Sequence, residues 1–203
     1  MTSLFALFGH GVMLMAVILM LLQVRRWKQY WPLAYLISAV VIILPLKNWL
    51  VIEFSWGYFS DLSMATVFVC LCYVATGMRS ERIKMDHSLK LTILILAAIL
   101  FPSAMGATNY DMFSLGFPSE AGFNYLLIVI TVIGLLAWYK QAKHLSIYIG
   151  MVLISYGLGL YESHNLWLYI IDPIVVIIFA ISYLIALVKL LYSMLKNRLL
   201  NHV

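Results

Sequence analysis

Seven long apolar stretches, separated by short polar gaps, make up most of the 203-residue chain. Each stretch is continuously apolar, without the alternation of an outer-membrane strand, and a helix of about 20 residues crosses the hydrocarbon core of a bilayer. The pattern predicts an all-α, polytopic transmembrane bundle of seven helices that forms one membrane domain over residues 1–203. The predicted spans are approximately 4–24, 32–53, 61–78, 89–106, 122–139, 145–161 and 172–195.

The composition indicates the same class of protein. Apolar residues make up 65% of the chain and charged residues 10%, which lies outside the range of soluble globular domains. Residues 1–9 contain no Lys or Arg, and the first basic pair follows the first apolar stretch instead of preceding it. This order is the reverse of a cleaved signal peptide, so we expect the first stretch to be a retained helix.

Charge alternates from gap to gap. Twelve of the 13 Lys and Arg residues lie in or beside alternate gaps, and six of the eight acids lie in the others. Cytoplasmic loops collect Lys and Arg, which predicts the N-terminus outside and the C-terminus in the cytoplasm. The twelve bases are Arg25, Arg26, Lys28, Arg79, Arg82, Lys84, Lys90, Lys140, Lys143, Lys189, Lys196 and Arg198.

The net charge of +5 is therefore interpreted as serving topology and anionic lipid headgroups, and no nucleic-acid partner is expected. The expected partner of such a protein is the lipid bilayer. Short loops and the absence of a large ectodomain favour the cell inner membrane as the location.

His10 and Lys47 lie in the outer halves of predicted spans, away from the span ends, where ionisable groups are costly. His10, between Gly9 and Gly11, is roughly 10 Å below the outer boundary at about 1.5 Å per residue. One interpretation is a hydrogen bond to a backbone carbonyl across a close helix contact, and the other is a general base or metal ligand in an outward pocket. Lys47 either extends to the outer headgroups or pairs with an acid from another helix.

The acids of the outer gaps fall into two groups, those at the starts of predicted helices and those at their ends. Asp172 directly precedes Pro173, which predicts an N-cap. Glu53 and Glu162 are predicted at the C-terminal ends of outward helices, where the helix dipole disfavours a carboxylate. These two acids therefore have no expected capping role and become candidates for binding.

The segment 161–167, which reads YESHNLW, is the densest polar segment of the chain and the best candidate for a binding site. Trp167 has a second interpretation as a residue of the interfacial aromatic belt. The candidate ligand-binding residues are Lys47, Glu53, Glu162, His164, Asn165, Trp167 and Asp172.

The candidate catalytic residues are His10 as acid or base, with Glu162 and Asp172 orienting it or the substrate. A metal would use these groups with His164, but their spacing matches no strong zinc signature, and no metal is predicted. No cofactor is expected either. A retinal Schiff base needs a Lys in the middle of the last helix, whereas Lys189 lies near its cytoplasmic end.

Three functions are consistent with these patterns. The first is a non-enzymatic membrane component that binds a lipid headgroup, a glycan or a partner protein through its outside face. The second is a membrane-embedded enzyme of a lipid-linked substrate with an outward-facing site. The third, ranked below these, is a small-solute carrier of 3+1+3 helix organisation, since the inner halves of the spans carry few polar groups.

Overall fold

A computed structural model of the protein describes residues 2–22, 28–77 and 85–200, apart from the side chains of residues 2, 3, 28, 77 and 195–200. The regular secondary structure of the described residues is helical except for one short hairpin, and this confirms the all-helical class. Five bases of the predicted basic gaps, Arg25, Arg26, Arg79, Arg82 and Lys84, lie outside the described residues.

The helices are α1 (Thr2–Leu21), α2 (Trp31–Ile42), α3 (Val51–Phe59), α4 (Met64–Gly77), α5 (His87–Ala104), α6 (Phe123–Tyr139), α7 (Lys143–Gly157), α8 (Leu166–Ile170) and α9 (Pro173–Leu200). Two 3-10 turns occupy Lys28–Tyr30 and Ser114–Gly116, and a hairpin pairs β1 (Pro45–Leu46) with β2 (Trp49–Leu50).

Three of the described helices are long and apolar enough to cross a membrane. Their apolar segments are Leu4–Leu21, His87–Ala104 and Pro173–Met194, while α2, α4 and α6 are apolar but shorter. Large aliphatic side chains on the outer faces are exposed, including Leu135 and Val188. Such a surface suits lipid better than water, and together with the three helices it indicates a membrane protein.

The prediction of one helix over 32–53 is wrong. The helix α2 ends at Ile42, because Pro45 has no N–H to continue the helical hydrogen bonds and its ring clashes with the preceding turn. The chain then forms the hairpin, whose two-residue turn is Lys47 and Asn48. Lys47 takes a φ of 60°, a left-handed conformation that ends any continuation of the helix.

The helices α2 and α4 pack against α1. Gly9 lets α4 approach closely, since a Cβ atom there would lie 3.2 Å from Val67 Cγ2. Near the other end of α1, Leu19 is buried with Ala34 of α2 and lies against Val74 of α4. The helices α1 and α4 therefore run in the same direction, and α2 runs opposite to both.

The largest buried cluster lies among α4 to α9. Gly134 brings α6 against α7, where a Cβ atom would lie 2.8 Å from Ile149 Cγ2. At the start of α5, Lys90 Nζ donates to Ser182 Oγ over 2.8 Å, which aligns α5 with the middle of α9.

Hydrogen bonds gather the connecting segments into two ends of the bundle. At one end, which we call the acidic end, the connector 60–63, the loop 105–122 and the segment 158–172 bond to one another. At the opposite, basic end, residues 85–87 meet the start of α7 and the middle of α9. Among the described residues, the connecting segments that carry acids and the basic connection before α7 thus lie at opposite ends of the fold.

An ion pair joins α5 to α7 at the basic end. Asp86 Oδ2 accepts a hydrogen bond from the His144 backbone N–H over 2.8 Å, and Asp86 Oδ1 lies 2.9 Å from His144 Nδ1. Partial burial opposes ionisation of Asp86, but the two His144 hydrogen bonds and the charges of His144 and Lys143 outweigh it. The pKa of Asp86 is consequently lowered.

We expect Asp86→Asn to reduce the dependence of stability on pH. A carboxylate with a lowered folded-state pKa stabilises the protein above its unfolded pKa of 3.8, and this contribution is lost as the pH falls through the folded pKa. Wild type should be more stable than D86N by up to about 1 kcal/mol near neutral pH, and the difference should shrink as the pH falls below 3.8 and through the lower folded-state pKa. Unfolding in detergent across this range measures the difference. A constant difference at every pH would contradict the assignment.

Candidate functional site

His10 is fully buried between α1, α3 and the connector 60–63. Its Nε2 atom lies 2.7 Å from the Ser60 carbonyl oxygen, and its Nδ1 atom lies 3.0 Å from Ser55 Oγ. A carbonyl only accepts, so the proton on Nε2 is donated to Ser60, and in the neutral ring Nδ1 accepts from the Ser55 hydroxyl. Both ring nitrogens are directed at protein atoms.

The glycines on either side of His10 permit this contact. A Cβ atom on Gly11 would lie 3.2 Å from Ile52 Cδ1 of α3, and Gly9 meets Val67 of α4 in the same way. Small residues let helices approach until an interhelical hydrogen bond forms. The Gly9-His10-Gly11 motif therefore places the imidazole where it connects α1 to α3 and to the connector 60–63.

Asp172 joins the start of α9 to the start of α4. Its Oδ1 atom accepts from the Val175 backbone N–H over 2.9 Å, which confirms the predicted N-cap. The same oxygen accepts from Thr66 Oγ1 over 2.7 Å, and Oδ2 accepts from the Ser63 backbone N–H over 2.8 Å. One carboxylate thus receives hydrogen bonds from two helix starts that are about a hundred residues apart in the chain.

Tyr161 completes the set of contacts on the connector 60–63. Its hydroxyl donates to the Leu62 carbonyl, its backbone N–H donates to Tyr169 Oη over 3.0 Å, and its ring packs on Phe5. His10 and Asp172 therefore meet the same connector, but through separate groups at Ser60 and Ser63. These hydrogen bonds hold the backbone of the connector 60–63 in place.

Asn165 and Trp167 fasten the loop 105–122 to the helix ends. Asn165 Nδ2 donates to the Phe113 carbonyl over 3.1 Å, and its Oδ1 accepts from the Trp167 backbone N–H over 2.9 Å. Trp167 Nε1 donates to the Met112 carbonyl over 2.9 Å. Both side chains are buried, and their hydrogen bonds hold this loop against the helix ends.

Four other predicted site residues lie on the surface or near it. Lys47 is exposed in the hairpin turn, and the side chains of Glu162 and His164 are exposed in the segment before α8. Glu53 lies in the first turn of α3 and accepts from the Leu50 backbone N–H over 2.8 Å. The prediction that Glu53 ends a helix without a capping role is therefore wrong, because it assumed the uninterrupted second span.

In the part of the chain that the structure describes, no group of three or more His, Cys, Asp or Glu side chains is placed to hold a metal ion.

A polar cavity of about 490 Å³ opens at the acidic end, beyond α5. It is lined by Ser103, Ala104, Gly106, Thr108, Asn109, Asp111 and Phe113.

Hydrogen bonds within the loop give this cavity its shape. Ser103 Oγ donates to the Tyr110 carbonyl and accepts from the Met112 N–H, both over 2.7 Å. Asp111 Oδ1 accepts from the Phe113 N–H over 2.9 Å, and Gly106 turns the chain with a φ of 75°. Sequence reasoning missed the cavity, although the run of Gly, Thr, Asn and Asp after a helix end was a visible turn signal.

The fold and these contacts define an all-helical protein whose described residues include three helices of membrane-spanning length and a hydrogen-bonded acidic end. No family model, curated protein or solved structure matches the chain.

Proposed function

We propose that the protein crosses the cell inner membrane seven times, with the acidic end outside and the C-terminus in the cytoplasm. Six predicted spans correspond to one helix each, namely α1, α4, α5, α6, α7 and α9. In the remaining crossing, α2 covers about 18 Å at 1.5 Å per residue and the hairpin completes it near the outer headgroups. The alternation of basic and acidic gaps supports the orientation.

We further propose that the protein is a non-enzymatic membrane component that binds a glycan, free or lipid-linked, in the cavity bounded by 103–113. The observation that carries this proposal is the cavity lining. Thr108, Asn109 and Asp111 offer a hydroxyl, an amide and a carboxylate, the groups that pair with sugar hydroxyls. Tyr110 beside them is exposed and presents an apolar face with a polar tip.

Charge distinguishes a glycan from an anionic headgroup at this site. The described lining carries one formal charge, the Asp111 carboxylate, and no Lys or Arg. A phosphate would meet that negative charge without a cationic partner, whereas sugar hydroxyls donate to a carboxylate readily. The cavity chemistry therefore favours a hydroxyl-rich, uncharged ligand.

Burial of His10 favours binding over catalysis. An enzyme that uses this imidazole needs it within hydrogen-bond reach of substrate, yet the ring is fully buried and bonded to Ser55 and Ser60. Asp172 likewise receives three protein hydrogen bonds.

Replacement of Asn109 by alanine tests the proposed function. Wild type and N109A would be purified in lipid nanodiscs, and the molecules that accompany each would be identified by native mass spectrometry. We expect wild type to retain a glycan or lipid-linked glycan and N109A to bind it about fivefold more weakly, since one hydrogen bond contributes about 1 kcal/mol. Glu120→Gln, in the same loop but outside the lining, serves as the control and should bind like wild type.

Equal retention by wild type, N109A and E120Q would place the ligand elsewhere and overturn the assignment. Recovery of phospholipid alone would also overturn it, in favour of a headgroup ligand. If both variants unfold at the same temperature as wild type, their fold is intact.

A further inference from the structure

A second cavity of about 490 Å³ lies at the basic end, where α6 turns into α7. Its lining differs from that of the acidic-end cavity, since it combines a cation, an amide, a hydroxyl and an indole with aliphatic side chains. The lining residues are Ala137, Trp138, Gln141, Lys143, Ser146 and Ile147.

The turn beside this cavity is an αL helix end of the Schellman type. The Ala142 N–H donates to the Ala137 carbonyl over 2.9 Å, and the Gln141 N–H donates to the Trp138 carbonyl over 3.0 Å. Gln141 takes a φ of 58°, the conformation in which this motif usually has glycine. A non-glycine residue in this conformation is strained, and such strain often accompanies functional sites. Here the strained residue places an amide side chain in the cavity lining.

The cavity chemistry fits a phosphate group next to an acyl chain. Lys143 supplies a positive charge, while Gln141 and Ser146 supply neutral donors at the same opening. Trp138 is 76% exposed, and tryptophan is enriched at membrane interfaces, where its N–H meets headgroups and its ring meets acyl chains. Ala137 and Ile147 form the apolar part of the lining.

A carboxylate near this cavity is held by another residue. Asp86 lies near Lys143, but one of its oxygens accepts a hydrogen bond from the His144 backbone N–H and the other lies 2.9 Å from His144 Nδ1. An anion in the cavity therefore meets Lys143 with the neighbouring carboxylate satisfied by another residue.

We propose that this cavity binds the phosphate headgroup of an anionic phospholipid from the leaflet at the basic end. Lys143 contacts the phosphate, Gln141 and Ser146 hydrogen-bond its oxygens or the glycerol hydroxyls, and Trp138 packs beside the upper acyl chain. The proposal rests on the membrane placement proposed above. It is independent of the glycan site, because the two cavities share no lining residue.

Binding would be measured by native mass spectrometry and by thermal shift in neutral detergent. Three probes are titrated separately: dioctanoyl phosphatidylglycerol, dioctanoyl phosphatidylcholine and inorganic phosphate. We expect saturable binding of phosphatidylglycerol, at least fivefold tighter than phosphatidylcholine, with little response to inorganic phosphate. Lys143→Gln should weaken binding of phosphatidylglycerol about tenfold. The control Lys140→Gln removes the same charge three residues away, outside the lining, and should change binding less than twofold.

Gln141→Gly separates binding from folding. Glycine relieves the left-handed strain, so Q141G should unfold at the same temperature as wild type or at a higher one, while its binding of phosphatidylglycerol weakens severalfold.

Equal effects of K143Q and K140Q would indicate unspecific attraction to a basic surface and overturn the proposal. Unchanged binding by Q141G, or equal responses to inorganic phosphate and phosphatidylglycerol, would overturn it as well. Retention of glycan by K143Q in the nanodisc experiment would show that the acidic-end cavity is unaffected, so the two proposals fail separately.

Discussion

Asp172→Ala is expected to destabilise the protein by about 3–5 kcal/mol, the larger of two effects that the structure predicts at the acidic end. Three donors lose their acceptor at once, namely the Ser63 N–H, the Thr66 hydroxyl and the Val175 N–H. Ser63 and Thr66 are fully buried, and each buried donor left unpaired costs about 1–3 kcal/mol. Loss of the N-cap of α9 adds to this cost.

Asp172→Asn is the matched variant. Its amide oxygen can still accept from Thr66 and Val175, but its NH₂ group would face the Ser63 N–H. We expect D172N to lose about half as much stability as D172A. Unfolding by SDS in mixed micelles measures both variants, and a loss below about 1 kcal/mol for D172A would refute this account of the carboxylate.

Gly116→Ala is expected to cost about 2–4 kcal/mol, although it adds only one methyl group. A Cβ atom at this position would lie 2.0 Å from Asn165 Oδ1 and 2.6 Å from Trp167 Cδ1. Both neighbours are buried, so they cannot move aside without losing their hydrogen bonds to the loop carbonyls of Phe113 and Met112. Overpacking and broken hydrogen bonds then act together.

Gly150→Ala provides the control for this substitution. Gly150 lies inside α7, and a Cβ atom there would meet no heavy atom within 4 Å. Alanine at an open helical position should stabilise by up to about 1 kcal/mol. The same SDS titration compares the two variants, and equal stabilities of G116A and G150A would show that the loop does not depend on this close contact.

Continuous apolar stretches predicted most of the helices, because a long uninterrupted apolar run has few alternatives to a helix. The prediction of the second span failed at Pro45, where the chain forms a hairpin instead of continuing the helix. The short helices α3 and α8 were also missed. Their residues lie in predicted gaps or at span ends, where periodicity is too short to be informative.

At the acidic end, hydrogen bonds between residues close in the sequence were predictable, whereas hydrogen bonds between distant residues were not. The N-cap of Asp172 is visible beside Pro173, but its bonds to Ser63 and Thr66 depend on how α4 and α9 pack. The role of Glu53 was misjudged because it followed from a wrong helix boundary. The carbonyl partner of His10 was one of two interpretations, and its identity required the position of Ser60.

The bonds between Asp172 and the start of α4 also constrain the order in which the protein matures. Ser63 precedes Asp172 by 109 residues, so a ribosome synthesises the five helices α4 to α8 before the acceptor for its N–H exists. Until then, the Ser63 N–H at the α3–α4 junction lacks the acceptor that it has in the folded protein. A nascent chain arrested before residue 172 should therefore be recognised by membrane quality-control proteases, whereas one arrested after α9 has entered the membrane should survive.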